Sequence, residues 1–440
     1  ILTTGLCPPG TTVFQDIQEL EPGCYLEYDL RSSRQHIQRY FDITSLVSKD
    51  DYLELAKLPA KELVSRHCET FNQSIASHLI SDAKLGVMFS AGLDSSLVAA
   101  VATQSGRPDV KLYYFHSETF DTTKYSVSFQ KRFSSDLNTL RFNEHDVIFD
   151  LPKMIYNYET INKEEGTVLS KVCKAASEDG CKVLLTGDGC DELYGGYSTH
   201  WSFYTRSVLH NNTPLRTMVR LLRKVLPGLE RAGDLPRETD YFLTPSTLNL
   251  MEVPANLLFH GGTRLEGWKR SLGAYDFLSD PTERDTAACL LDDMTYHMQR
   301  YLIRADRMGM QESVELRVPY VHPPVMRMAV NTPVKWRVGR SIFSRRPDFL
   351  TLYNGKKIVR EMAKVNHVPK DIIYRKKIGT SFDGRQQVIS LIENFSLENV
   401  AQFFDLSPKV LRKILLESFD RDSARIQWSI LATEILIREF

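Results

Sequence analysis

The stretch Leu85-Gly-Val-Met-Phe-Ser-Ala-Gly-Leu-Asp-Ser-Ser-Leu-Val98 decides the fold. Lys84–Phe89 reads as a short buried strand, Ser90–Gly92 as a tight turn of small residues, and Ser95 to about Gln104 as a helix. Leu112–Phe115 and Val183–Leu185 are further short apolar runs, each preceded by a segment of helical periodicity. Strands alternating with helices predict a parallel sheet covered on both faces. A helix that begins straight after a strand presents unpaired N–H groups and the positive end of its dipole, which suits an anion. Ser90, Gly92, Ser95 and Ser96 add hydroxyls and close backbone approach for phosphate oxygens. The loop is not a Walker A motif, because GxxxxGK[ST] is absent. Asp94 is the informative residue: a carboxylate inside a phosphate cradle repels its ligand unless Mg2+ lies between them. The plain alternative is a small-residue turn in which Asp94 is an ordinary helix N-cap.

Outward from this segment, residues 1–45 read as β-rich. Thr12–Phe14, Cys24–Tyr28 and His36–Phe41 form strand-like runs, with turns at Pro8-Pro9-Gly10 and Pro22-Gly23. So few short strands cannot close a core, so they are expected to be the last part of a larger β domain. Asp51 to about Ile80 carries apolar residues at helical spacing, and beyond residue 200 nearly everything is helical apart from Pro and Gly loops around 227–281. The expected domains are 1–45 and 46–440.

With 440 residues, 42% hydrophobic and 25% charged, the chain can bury a sizeable core. Its 55 basic and 55 acidic residues leave no net charge, which removes the electrostatic footprint of a general nucleic-acid or membrane-surface binder. No run reaches the roughly 18 apolar residues of a spanning helix, and the N-terminus lacks the pattern of a signal peptide. Seven scattered cysteines without CxxC or Cys/His spacing predict free thiols in a reducing cytoplasm rather than zinc ligands.

Three more segments carry chemistry. In Val183-Leu-Leu-Thr-Gly-Asp-Gly-Cys-Asp-Glu-Leu-Tyr-Gly-Gly-Tyr197, a strand ends in a glycine-flanked loop bearing Asp188, Asp191 and Glu192, carboxylates that repel one another unless a cation or an amine is bound. The plain reading is a solvated acidic loop. Tyr301 to Tyr320 holds Arg304, Asp306, Arg307, Glu315 and Arg317, which are expected to form buried ion pairs. Gly355-Lys-Lys-Ile-Val-Arg360 is followed by Pro369-Lys-Asp-Ile-Ile-Tyr-Arg-Lys-Lys-Ile-Gly379. Taken alone, a Lys-Lys pair reads as a solvated face.

Ser90-Ala-Gly-Leu-Asp-Ser-Ser96 resembles the pyrophosphate loop of the N-type ATP pyrophosphatases, with Ala91 where the second-position glycine is usual. The acidic loop, the Tyr301–Tyr320 segment and the spacing of Arg375 and Lys377 are similar to those of the asparagine synthetase family, in the same order along the chain. The resemblance implies an α/β, parallel-sheet ATP pyrophosphatase (adenine nucleotide alpha hydrolase-like) domain with a largely helical C-terminal part. A small β-rich remnant of an Ntn-type glutaminase domain precedes it, since Thr11–Gly23 and Arg39–Asp42 look like the end of that domain and its connector.

The same resemblance implies an ATP-dependent, AMP-forming carbon–nitrogen ligase. Ser90, Ala91, Gly92, Leu93, Asp94, Ser95, Ser96 and Gly187 would bind ATP, and Asp94 and Asp191 would share Mg2+. Asp188 takes the place of the family's active-site glutamate, and Arg375 and Lys377 are the implied cations of the reaction, Lys377 for charge developing on the adenylate and tetrahedral intermediate. The acyl substrate is a small-molecule or peptide carboxylate, and a homodimer is possible. The nitrogen is ammonia, glutamine-derived ammonia or a substrate amine. The family's glutaminase nucleophile is an N-terminal cysteine, whereas this sequence starts at Ile1 and first shows a cysteine at Cys7, so the chain as given is expected not to hydrolyse glutamine. Val321-His322 stands where the family has Leu-Asp. Thr122 replaces a family glutamate and Tyr156–Asn162 a family Asp/Glu-Pro turn, both near the expected acyl substrate. Three readings follow: an amidotransferase acting on a small carboxylate, a lactam or macrolactam synthetase of the β-lactam synthetase or lasso-peptide cyclase kind, and a catalytically silent partner subunit.

Overall fold

The computed structural model describes residues 10–107, 110–117, 121–142, 151–159, 165–214, 217, 263–340, 353–375, 389, 392–393, 395–417 and 423–439. Two strands open the chain, β1 (Cys24–Asp29) and β2 (Arg34–Arg39), paired antiparallel. They form a hairpin with Tyr25, Leu26, Tyr28 and Ile37 exposed. Its side chains alternate across the ribbon, and both faces are exposed among the described residues. The expected strand at Thr12–Phe14 is only an isolated bridge between Thr11 and Gln18.

The helical stretch expected over 51–80 is two helices, Lys49–Lys57 and Ala60–His78, broken at Leu58-Pro59. The residue before a proline is held extended, and Leu58 sits at φ −66°, ψ 141°. Ser48 caps the first helix by accepting from the Asp51 N–H. The second buries Leu63, Val64, Phe71 and Ile75 along one stripe.

The central sheet contains β3 (Lys84–Phe89), β4 (Lys111–Ser117), β5 (Leu137–Phe142), β6 (Cys181–Leu185) and β7 (Glu315–Arg317), in the order β5-β4-β3-β6-β7. All four pairings are parallel, as the alternation of strands and helices predicts. β5 and β7 give no clear periodic signal in the sequence. β7 is only three residues long, and Leu137-Asn-Thr-Leu-Arg-Phe142 mixes polar residues at an edge. On one face, Phe89, Phe129 and Tyr114 pack beneath the helices at ring separations of 4.7 and 6.1 Å. The other core joins Tyr113 and Leu184 of the sheet to Val172 and to Ile435 of the C-terminal helix Ser423–Glu439.

The helix Pro281–Met310 runs 30 residues alongside the sheet. Asp280 caps it by accepting from the Thr282 N–H, and proline fills its first turn, where no amide hydrogen is needed. The loops expected around 227–281 lie partly outside the described residues. Within the described part, Thr263–Gly273 is a helix, so the composition-based boundary is too generous. A second hairpin, β8 (Val338–Arg340) with β9 (Tyr353–Gly355), delivers the chain to the helix Lys357–Val365. The six described cysteines are free thiols, and no helix among the described residues is long and apolar enough to cross a membrane.

Candidate active site

Strand order reverses between β3 and β6, because β4 and β5 continue from one side of β3 and β6 and β7 from the other. In open parallel sheets the crevice beyond the carboxyl ends of such a pair is where ligands bind. Both the small-residue turn and the acidic loop emerge here.

β3 ends at Phe89 and the helix Leu93–Gln104 begins with Gly92 as its cap and Asp94 in its first turn. The helix starts two residues earlier than its periodicity indicates. Asp94 is therefore inside the helix rather than capping it, which sets aside the plain N-cap reading. Ser90 and Ser95 close the turn, with their hydroxyls 3.0 Å apart and the Ser90 N–H donating to Ser95 Oγ over 3.2 Å. Ala91 is fully buried with φ +51°. An L-residue in this left-handed region costs about 1–2 kcal/mol, so the methyl group here strains the backbone. Ala91→Gly is expected to stabilise the fold by about 0.5–1 kcal/mol. Urea denaturation should show it as a higher midpoint with unchanged slope; an unchanged or lower midpoint would contradict the strain.

On the other side, Gly187 permits close approach: a Cβ there would lie 2.9 Å from the Ser95 amide nitrogen. Asp188 accepts from Thr186 Oγ1 at 3.0 Å and lies 3.5 Å from Arg304 Nη2. Asp191 follows on the short helix Cys190–Tyr194, which ends in Gly195 at φ +67°.

The two acidic residues meet at a lysine. Lys356 Nζ lies 2.5 Å from Asp94 Oδ2 and 2.7 Å from Asp191 Oδ1. Burial works against its charge, but the Asp191 and Asp94 carboxylates more than offset this and hold its pKa well above the ordinary lysine value. The general reading of a lysine pair as a solvated face does not hold for one member of Lys356-Lys357. Lys356 is buried, while Lys357 is exposed and lies 4.1 Å over the Trp336 ring. A pair of lysines at a strand end carries no sequence signal of which one turns inward. The backbone does: Lys356 sits at φ +61° and its N–H donates to the carbonyls of Arg337 and Tyr194, at 2.8 and 3.0 Å.

Arg375 faces the same turn. Its guanidinium carbon lies 5.0 Å from the Tyr125 ring centroid, and burial lowers its pKa. Asp94 Oδ1, Ser96 Oγ and Arg375 Nη1 are buried without a hydrogen-bond partner. A helix N-terminus with serine hydroxyls and an unsatisfied guanidinium fits phosphate oxygens. An orphaned carboxylate oxygen opposite Asp191 fits a divalent cation with oxygen ligands. Mg2+ therefore suits this donor set, with Asp94 and Asp191 as the residues to hold it.

Glu192, beside Asp191, is buried and accepts from Tyr197 Oη at 2.5 Å. Desolvation, then repulsion from Asp191, pushes its pKa up to about 8. A raised carboxyl binds a proton in the folded state that the unfolded chain has released, so its contribution is full below the unfolded value and fades as pH rises. The stability of the wild type relative to Glu192→Gln should therefore fall between pH 5 and pH 8 and then level. Parallel wild-type and variant unfolding curves across that window would disprove the shift.

Other expectations fare differently. Of the five charged residues singled out in the Tyr301–Tyr320 segment, Arg304 reaches the site. Arg307 pairs with Glu159 at 2.6 Å and Arg317 with Glu315 at 2.9 Å, both partly exposed, and Asp306 is exposed. The expected buried ion pairs are therefore separate, partly exposed contacts. Thr122 is buried and its hydroxyl is taken up by Tyr114 Oη at 2.7 Å. His322 packs edge-on against His78, 5.4 Å between ring centres. Lys377 lies outside the described residues, as do 160–162 of the Tyr156–Asn162 segment.

Residues 68–438 match the family model described as Asparagine synthase. The chain is 23% identical over 441 residues to the glutamine-hydrolysing asparagine synthetase 1 of Bacillus subtilis (strain 168), covering 96% of this chain and 65% of that protein. With asparagine synthetase 3 of the same organism it shares 22% identity over 386 residues, 84% of this chain and 55% of that protein. The chain thus spans little more than half the length of such relatives.

Proposed function

The chain belongs to the asparagine synthase family, and we propose that it activates a carboxylate with ATP as an acyl-adenylate and passes the acyl group to an amine. The observation that carries this reading is the meeting of Asp94, Asp191 and Lys356 at the mouth of the sheet, with a vacant-handed Arg375 beside the serine turn. In this reading the turn Ser90–Ser96, with Gly187 behind it, grips the pyrophosphate end of ATP, and Arg375 adds charge-assisted bonds to its oxygens. The substrate carboxylate attacks the α-phosphate and pyrophosphate leaves. Mg2+, held by Asp94 and Asp191, would supply charge neutralisation to the phosphate chain. An amine then attacks the adenylate carbonyl, its proton passes to solvent, and AMP departs with the electron pair of the broken C–O bond. Lys377 is assigned the oxyanion that develops in this second half.

The half-reactions separate experimentally. Lys377→Ala should retain ATP–pyrophosphate exchange while amide formation falls by roughly 100-fold or more; unimpaired amide synthesis would remove Lys377 from the mechanism. The acyl substrate is best found by running the exchange assay across aspartate, other carboxylates and candidate peptides. Exchange with aspartate alone supports asparagine synthesis, and none with any carboxylate would favour a silent partner subunit.

Two observations favour a second reading, in which the amine belongs to the substrate, as in lactam and macrolactam synthetases. Asp188, the acidic group nearest to a general-base role, is already engaged by Arg304 and Thr186. Thr122, likewise, presents no charge. Residues 1–45 we assign to the end of a glutaminase-type domain and 46–440 to the synthetase domain; the two-faced exposure of the β1–β2 hairpin supports the division. In that arrangement the nitrogen reaching this site can be glutamine-derived ammonia.

A further inference from the structure

Lys356 occupies the ground between two carboxylates that otherwise repel each other, and its position is not adjustable at the backbone. Its N–H is held from two sides by Tyr194 and Arg337 carbonyls, its φ is +61°, and it stands at the start of the helix Lys357–Val365. A non-glycine residue in that conformation persists only where its surroundings over-determine it. Only the side chain can swing, and space around it is short: a methyl on Gly196 would come within 2.2 Å of Lys356 Cε and 1.6 Å of Asp191 Oδ1.

We propose that Lys356 sets the ligand specificity of the Asp94–Asp191 pair, withholding it from free divalent cations and yielding it to a metal that arrives on a phosphate chain. The proposal rests on the adenylating reading above. A bare dication would have to share both carboxylates with a fixed ammonium a few ångströms away, in surroundings where charges interact several-fold more strongly than in water. Alternatively it would have to drive that ammonium off its two carboxylate acceptors into a buried setting. A nucleotide-bound cation removes both obstacles. Its phosphate oxygens accept the protons of the Lys356 ammonium as the carboxylates turn to the metal. Metal and nucleotide binding are then coupled through this one side chain, and coupling is reciprocal.

The test is equilibrium dialysis of Mn2+ against the full chain, alone and with α,β-methylene-ATP, for wild type, Lys356→Met and Lys356→Gln. Wild type should hold Mn2+ with the analogue and scarcely without it. Either neutral variant should bind Mn2+ alone at least roughly tenfold more tightly than wild type does, because the competing charge is gone. Two neutral side chains of different polarity guard against one failing to fold. Wild type binding Mn2+ alone as tightly as the variants overturns the proposal, and so does wild type binding it equally with and without the analogue. Failure of wild type to take up Mn2+ even with the analogue overturns the adenylating reading itself, and the specificity role with it.

Discussion

Asp94→Asn is expected to lower ATP–pyrophosphate exchange by roughly 1,000-fold, the scale on which removing a group that organises transition-state charge acts. The substitution changes one oxygen to an amide, so the packing of the helix Leu93–Gln104 is kept. What changes is charge. The carboxylate pair loses half its negative charge, and of its two carboxylates the buried Lys356 ammonium keeps Asp191. Both consequences fall on the first half-reaction. Hydroxylamine or ammonia supplied in excess should therefore fail to rescue product, which separates this variant from Lys377→Ala. Exchange within a few-fold of wild type would show that Asp94 does not hold the metal.

Gly196→Ala should also cost heavily, by a different route. The added methyl falls 1.6 Å from Asp191 Oδ1 and 2.2 Å from Lys356 Cε, so neither group can stay where it is. Asp191 is short and has one way to move, out of the line that joins it to Lys356 and Asp94. Exchange should drop by roughly 100-fold or more. The thermal midpoint should change less than for a buried large-to-small substitution, because most of the damage is to side-chain placement at the site. Retention of wild-type exchange would mean that Asp191 is dispensable.

The core of the fold is readable from sequence where burial and periodicity coincide. β3, β4 and β6 are continuous apolar runs because they lie inside a parallel sheet, and runs of that kind stand out. β5 and β7 do not, since an edge strand and a three-residue strand bury too little to impose a pattern. The site divides in the same way. Asp94 and Asp191 announce themselves as carboxylates in loops of small residues, where negative charge needs an explanation. Lys356 is hidden because a lysine in a basic pair is ordinary, and its meaning comes from a backbone conformation and two partners far away in sequence. The ion pairs of Arg307 and Arg317 mislead for the converse reason: a dense run of charges on a helix and its following loop looks like a cluster, although helix geometry points the residues in different directions.

The contact between Lys356 and Asp94 joins residues 262 positions apart. Contacts of such span are costly to close early in folding, because chain entropy is lost before anything long-range compensates for it. Lys356 follows directly on β9, so the carboxylate pair meets its lysine where β9 is laid against β8. Competence of the site is in this sense a report on completion: a molecule that stalls with its sheet formed but its second hairpin undocked would keep its secondary structure and lack its chemistry. For this chain a measure of active sites counts finished molecules more strictly than any spectroscopic measure of helix or strand.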